Sequence, residues 1–594
     1  MPHLPPMPIA APPRLLAQAL LLAALLALAL PLSARELVAV RLIAFNDLHG
    51  HLEPGGNSIA VPDPRDASKR VDLRTGGLAF LAGAVRQLRE EQPDSLLVST
   101  GDLVGASPLA SALFRDEPTI EAMNALGLDL NVVGNHEFDH GVAELRRLIA
   151  GGCAAEPRGV AATCAGAERS YAGARFPFIA ANVEDAATGA PLLPPFVVRT
   201  VGGVRIGFVG AVTRATPGIV MPDGIRGWRF TPEAQALNRY ARQLRAEGVN
   251  AVVALVHEGG DADGGINGCD SPRGAVFDIV RALDPAIDVV LSAHTHRAYN
   301  CRIDGRVVIQ AASFGRLLSV IDLRIDRATG EVDRAATRAR NLPVANGLDT
   351  DKAAAGAYPP YPADAKVGAI VDHYRARAAP LADRPIGRIA AAFGRLPPEQ
   401  GDSPAGRLIA DAHLAATRGN GAQIAFTNSG GIRSDLRPRG ADGAVTYGDL
   451  FTMQPFGNAL VTMTMTGAQL KSLLESQRRG AASRPHFLQP SSTLSYAWRD
   501  DAPAGARVVE ESLTVEGRPW RRDATYRVTT NSYLAAGGDR FHVFLEGTDH
   551  SGGPLDVDAL AQYLSQRSAD SPLTVDTMPR IVRGSGPGNA TPVR

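Results

Sequence analysis

The chain has 594 residues, 61 basic and 61 acidic, for a formal net charge of zero; 45% of residues are hydrophobic and 21% charged. That composition excludes a disordered chain, and the even balance of charge excludes a broad basic face for a nucleic-acid polymer. The length exceeds what one core supports and suits two domains.

At the N-terminus, Arg14 precedes an uncharged stretch rich in Leu and Ala, from Leu15 to Leu32, and Ser33 and Ala34 place small residues before Arg35. The pattern predicts a secretory leader over 1–34, cleaved after Ala34. Left uncleaved, the apolar run is just long enough to anchor in a bilayer. The expected product is periplasmic or secreted, with no membrane contact after cleavage.

Residues 36–346 read as a first domain. Five apolar runs in it, Leu37–Phe45, Ser95–Ser99, Leu130–Val133, Ala251–Val256 and Val289–Ser292, have the composition of buried strands of an α/β or α+β sheet. Each ends in a polar cluster: Asp47-Leu-His49, Gly101-Asp102, Gly134-Asn135-His136-Glu137, His257 and His294-Thr-His296. Groups placed just after successive strands gather at one edge of a sheet, where loops carry function. A single histidine after a strand is ordinarily a loop residue; the ordered set of five clusters is not ordinary.

Seven of these side chains, Asp47, His49, Asp102, Asn135, His257, His294 and His296, form a mixed ligand set. Imidazole suits zinc, manganese or cobalt, carboxylate supplies charge and can bridge, and a carboxamide completes a shell without adding charge. The set suffices for two divalent ions, with Asp47, His49 and His296 on one, Asn135, His257 and His294 on the other, and Asp102 shared. Two such ions roughly 3.5–4 Å apart clamp the attacking and leaving oxygens of a phosphoryl displacement. His51, His140 and His413 fit no position in the pattern and are expected at the surface or behind the ligands. Residues 57–74 and 185–195 read as surface loops. Cys153, Cys164, Cys269 and Cys301 allow three pairings; local closure favours Cys153–Cys164 and Cys269–Cys301, as an oxidising compartment permits.

The Asn-Gly, Pro-Pro and Tyr-Pro pairs of 344–363 mark a boundary. Within a linker over 347–385, Ala365–Ala379 has the periodicity of a connecting helix. A second domain is expected over 386–582, and 583–594 reads as a disordered tail. In that domain the strand-like Ile424–Thr427 runs into Asn428-Ser-Gly-Gly431-Ile-Arg433, whose glycines allow close backbone approach and whose arginine offers a fork for phosphate. The stretches Phe451-Thr-Met-Gln-Pro-Phe456-Gly-Asn458 and Asn531-Ser-Tyr533-Leu-Ala-Ala-Gly-Gly-Asp539 complete the set.

At these residues the chain resembles the calcineurin-like metallophosphoesterases, in particular their two-domain 5′-nucleotidase family, which includes UDP-sugar hydrolases and 2′,3′-cyclic-nucleotide phosphodiesterases. The resemblance implies a four-layer αββα first domain joined by a helix to an α/β nucleotide-binding domain. It implies a catalytic His136 supported by Asp139, with Glu137 a structural residue at a helix start. It implies a base stacked between Phe456 and Tyr533, phosphate or base edge held by Asn428, Gly431 and Arg433, and ribose hydroxyls donating to Asp539. A further phosphate-binding arginine is expected upstream, where Arg395 and Arg407 both lie. The implied activity is release of phosphate from 5′-nucleotides, and also from UDP-sugars or cyclic nucleotides, by water activated on two divalent ions. The protein is expected to act as a monomer or weak dimer. The alternatives are a thiosulfate-oxidation-type sulfur hydrolase on the same scaffold and a general phosphomonoesterase.

Overall fold

The computed structural model describes residues 36–55, 58–154, 162–166, 168–395, 401–478 and 485–584; the expected leader lies outside them. The five apolar runs are strands, but they divide between two sheets rather than sharing one edge. The first sheet runs in the order Arg338–Pro343, Leu317–Asp326, Leu37–Phe45, Ser95–Ser99, Leu130–Val132, Phe178–Ile179, and its last four strands are parallel. The second runs Ala298–Ile303, Arg306–Ala311, Val289–Ser292, Ala251–His257, Val204–Val212, Phe196–Val201, with four parallel strands between antiparallel edges.

The two sheets face each other across a core that includes Leu42, Val98, Leu130, Phe208, Val253 and Leu291. Helices cover the outer faces, burying Leu81, Ile120 and Leu145 on one side and Leu237, Leu244 and Phe277 on the other. Strands buried on both faces must be apolar at nearly every position, which is why these runs lack alternation. The result is a four-layer αββα domain. Both expected disulfides are formed, Cys153–Cys164 and Cys269–Cys301, with Cα atoms 5.4 and 5.1 Å apart.

The loop expected over 57–74 is a correction. From Ser58 the chain forms an antiparallel hairpin, Ser58–Asp63 against Asp66–Arg74. Ile59, Val61, Val71 and Leu73 occupy alternate positions and cover Ala345 and Ala354; Ala60, the prolines and the charges between them obscured that two-residue period.

The connecting helix spans Ala365–Ala382, three residues longer than its periodicity predicts, and Asp364 caps it by accepting from Lys366 and Val367. Val367, Val371, Tyr374 and Ala378 pack into the first domain's outer core, while the same helix touches Tyr447–Met453 of the second domain. The second domain holds a mixed sheet in the order Leu488–Pro490, Ile424–Asn428, Thr525–Asn531, Ala459–Thr466, Thr548–Leu555. Beside it lies a four-stranded sheet whose last strand, Ile581–Gly584, continues two residues past the expected domain end. Among the described residues no helix is long and apolar enough to cross a membrane.

Candidate functional site

Three adjacent parallel strands of the first sheet end at Asp47 and His49, at Asp102, and at Asn135 and His136; two neighbours of the second end at His257 and at His294 and His296. The backbone there is strained. Asp47 (φ 50°), His49 (49°), Asp102 (51°), His294 (71°) and His296 (56°) all occupy the left-handed region, which costs a non-glycine residue about 1–2 kcal/mol. Such strain persists where the surroundings over-determine it. The N–H of Asp47 donates to Gly101 O (3.0 Å) and that of His49 to Asp102 O (2.9 Å). Asn46 Nδ2 donates to Asp47 Oδ2 (2.6 Å), and His294 N–H donates to the same carboxylate (3.0 Å). Glycine is required beside them: a Cβ on Gly134 would lie 2.1 Å from Asp102 Oδ1.

The ligand atoms of Asp47, His49 and His296 lie within 4.8 Å of one another, and so do those of Asp102, His257 and His294. Asp102 also groups with His49 and His136, its Oδ2 standing 3.6 Å from His49 Nε2 and 3.1 Å from His257 Nε2. His49 Nδ1–H donates to Gly105 O (2.8 Å) and His257 Nδ1–H to Thr100 O (2.8 Å). Those bonds set the tautomers and leave both Nε2 atoms as lone-pair donors. His257 Nε2 and Asn135 Oδ1 are buried without a hydrogen-bond partner; Asp102 is near His257 but not aligned to bond. Orphaned buried acceptors ordinarily mark a missing ion or water, and a set of imidazoles, carboxylates and one carboxamide fits divalent cations.

The electrostatics agree. Burial holds His49, His294 and His296 below the ordinary imidazole value, which favours the neutral, ligating form. His257 departs from them: burial would lower it too, but the Asp102 carboxylate 3.1 Å away overrides that and lifts it to about 10, so a cation held at Nε2 would displace a proton. Glu137 sits in the short 3-10 turn His136–Phe138. Its carboxylate accepts from the N–H groups of Asp102 (3.0 Å), Leu103 (2.9 Å) and Gly134 (2.6 Å), tying two ligand loops together. Burial, and then the nearby Asp102, push that carboxyl up to about 7.

His136 Nδ1–H donates to Asp139 Oδ2 (2.7 Å). Burial opposes charge on this ring, yet Asp139 and Asp102 together raise its pKa. Its ring stacks against Phe456 of the second domain, centroids 5.9 Å apart and planes within 21°. There the two domains enclose a cavity of about 430 Å³. Asn135, His136, Asp139 and His294 line it from one side; Asn428, Gly431, Arg433, Phe456, Tyr533 and Asp539 line it from the other.

The second-domain groups brace each other. Asn428 Nδ2 donates to Asp539 Oδ2 (2.8 Å), and Tyr533 O–H donates to Asp539 Oδ1 (2.8 Å). The Tyr533 hydroxyl also lies 3.3 Å from Gly218 O of the first domain. Among the described residues the Arg433 guanidinium has no carboxylate partner; it sits 6.0 Å from the Phe456 ring centroid, and its charge weighs on His49, His136 and His296. Arg395 Nη1 donates to the carbonyls of Ile432 and Arg433 (3.0 and 2.9 Å). Arg407 is instead buried on Asp402 (2.7 Å) and on Asp576 O, so Arg395 is the arginine that stands beside the site.

Three neighbours were not singled out in the sequence. Asn458 and Ser532 line the cavity, and Asn458 Nδ2 donates to Asp556 Oδ2 (3.3 Å), a carboxyl that burial pushes up to about 7. Asn458 ends the quoted Phe451–Asn458 stretch, so a signal was present; Asp556 opens a distant helix and gave none. His140 lines the cavity. His413, expected at the surface or behind the ligands, is fully buried in the second domain. It shares the inward face of the helix Pro404–Thr417 with Ile409 and Thr417, four residues away on either side.

A model of the calcineurin-like phosphoesterases matches residues 40–298, and a model of the 5′-nucleotidase C-terminal domain matches residues 385–546. An endonuclease, YhcR, of Bacillus subtilis is 31% identical over 92% of this chain, which spans 41% of that relative's length. A probable 5′-nucleotidase of Treponema pallidum is 26% identical, over 88% of this chain and 91% of the relative. Among solved structures, a 5′-nucleotidase precursor from Thermus thermophilus superimposes with a TM-score of 0.72 at 25% identity, covering 92% of this chain and 99% of that one.

Proposed function

The chain belongs to the two-domain 5′-nucleotidase family of calcineurin-like phosphoesterases, and from that premise we propose an exported, metal-dependent hydrolase that releases phosphate from 5′-nucleotides. The observation that carries the reading is the stacking of His136 on Phe456, which brings a proton-carrying group beside the ligand cluster into the same cavity as an aromatic platform. That cavity, at about 430 Å³, is within the roughly 300–1,000 Å³ usual for small-molecule sites.

Asp47, His49 and His296 would hold one divalent ion and Asn135, His257 and His294 the other, with Asp102 between them. When bound, such ions stabilise negative charge on phosphoryl oxygens and make hydroxide available near neutral pH. Arg433, which among the described residues has no carboxylate partner, takes the phosphate as a planar fork. His136, fixed through Nδ1 by Asp139, presents Nε2 to the leaving ribose oxygen and supplies its proton. Phe456 and Tyr533 hold the base by stacking, and Asp539, braced by Asn428, receives the ribose hydroxyls. UDP-sugars and 2′,3′-cyclic nucleotides are further substrates on this reading. The two disulfides and the leader-like first 34 residues support export.

The test is hydrolysis by the purified protein with manganese or zinc, read as phosphate release together with chromatographic separation of the products of each substrate. The panel comprises AMP, UDP-glucose, 2′,3′-cyclic AMP, 3′-AMP, p-nitrophenyl phosphate, a thiosulfonate and a single-stranded oligonucleotide; the last is included because one relative's name is endonuclease. Preference for AMP, lost in His136→Ala, is expected. Equal turnover of p-nitrophenyl phosphate would remove the base-binding role of Phe456 and Tyr533. Turnover of the thiosulfonate alone would overturn the phosphoester reading.

A further inference from the structure

Phe314 lies in the loop between strands Arg306–Ala311 and Leu317–Asp326, and it meets all three members of one ligand group. Its N–H donates to Asp47 O (2.8 Å). Its ring meets His296 at 5.3 Å and 80° and His49 at 5.9 Å and 66°, both edge-to-face. The ring of His51 stacks on it at 4.0 Å and 25°, and the Arg316 guanidinium sits 5.3 Å from its centroid.

Two observations separate this residue from an ordinary core aromatic. Among the described residues Phe314 joins none of the apolar clusters; its ring neighbours are histidines and an arginine. It is also held at φ 62°, a left-handed conformation unfavourable for a bulky side chain. Ala312, two residues earlier, is left-handed as well (φ 55°), and its carbonyl accepts from Asn46, the residue that also donates to Asp47. The loop therefore grips Asp47 directly through the Phe314 N–H and indirectly through Asn46, and both imidazoles through one ring. Among the described residues the other group has no such ring: the ring contact of His257 and His294 is with each other, at 5.4 Å.

We propose that Phe314 is a positioning residue for one ion of the pair, holding the imidazoles of His49 and His296 in ligating orientation so that the site they form with Asp47 is stabilised separately from the site at Asp102, His257 and His294. The proposal rests on the metal-dependent reading above. Loss of groups that orient a metal ligand weakens metal binding by about 10–100-fold. His51, stacked on Phe314, would back the ring without ligating.

The experiment titrates metal-stripped protein with Mn²⁺ by calorimetry and counts bound manganese per chain by elemental analysis. Phe314→Gly removes the ring but tolerates the left-handed backbone; Phe314→Tyr keeps the ring; melting of the metal-free proteins reports any loss of fold. Two ions per chain are expected in the wild type. In Phe314→Gly one site should keep its affinity and the other weaken at least about tenfold, with Phe314→Tyr restoring it and the metal-free melting temperatures alike. Equal weakening of both sites, or no change in either, would overturn the proposal. Wild-type protein that takes up no manganese and no zinc would overturn the metal reading itself, and this inference with it.

Discussion

In the first domain five of the seven candidate ligands are fixed in left-handed backbone at strand ends, and carboxylates and ring nitrogens of the set are tied to main-chain groups, Asp47 to His294 N–H, His49 to Gly105 O and His257 to Thr100 O. In the second domain the cavity-lining groups are held by side chains: Asn428 and Tyr533 by Asp539, and Asn458 by Asp556. Main-chain anchoring gives rigid placement, as atoms that must surround an ion require. Side-chain bracing allows small adjustments, which suits recognition of a ligand with several rotatable bonds. The two regions should therefore fail differently, the first abruptly and for every substrate, the second by degrees and according to the substrate.

The largest effect belongs to Asp102→Ala. Removing the carboxylate common to two ligand groups should lower phosphate release about ten-thousandfold, several kcal/mol of charge stabilisation, equally for AMP and p-nitrophenyl phosphate. A substrate-dependent loss would break the comparison. His136→Ala comes next: kcat should fall about 100–1,000-fold with KM little changed, and steady-state kinetics on AMP checks the split.

Phe456→Ala is expected to raise KM for AMP by about tenfold, the worth of one stacking contact. Turnover of p-nitrophenyl phosphate should stay as it was, and a parallel loss on both would show that Phe456 serves mainly to pack His136. The smallest effect concerns the interior of the second domain. Burial lowers His413 from the ordinary 6.5 to about 4, so between those values the unfolded chain binds the extra proton. Stability is complete above pH 6.5 and falls as the pH drops towards 4, by up to roughly 3 kcal/mol. His413→Leu should flatten that slope in urea denaturation at several pH values, with KM for AMP unchanged.

The legibility of the two regions differed for the same physical reason. Ligands that follow buried parallel strands announce themselves, because such strands are short unbroken apolar runs. Leu37–Phe45, Ser95–Ser99 and Val289–Ser292 have the bounds their composition predicts; Leu130–Val132 stops one residue early and Ala251–His257 runs one residue on. The runs could not show that they divide between two sheets, since pairing depends on contacts between residues far apart in the chain. The hairpin from Ser58 was hidden because only one face of it packs inward, and Ala60 and Pro62 on one strand and Arg70, Asp72 and Arg74 on the other break the apolar run. In the second domain Phe456, Tyr533 and Arg433 were found by resemblance, not by periodicity. Arg395 and Arg407 looked alike until the buried Asp402 beside Arg407 became visible. Asp556 was out of reach, its partner Asn458 lying 98 positions away.

The wall of the cavity is drawn from two separate stretches of chain: every candidate ligand lies between Asp47 and His296, and the second-domain residues that line the cavity lie between Asn428 and Asp539. The stretches meet through space, as at Tyr533 and Gly218, and not through shared sequence. Mutation and selection can thus act on one without disturbing the other. The chemistry at the ion-holding loops and the choice of leaving group are thereby carried by different parts of the chain.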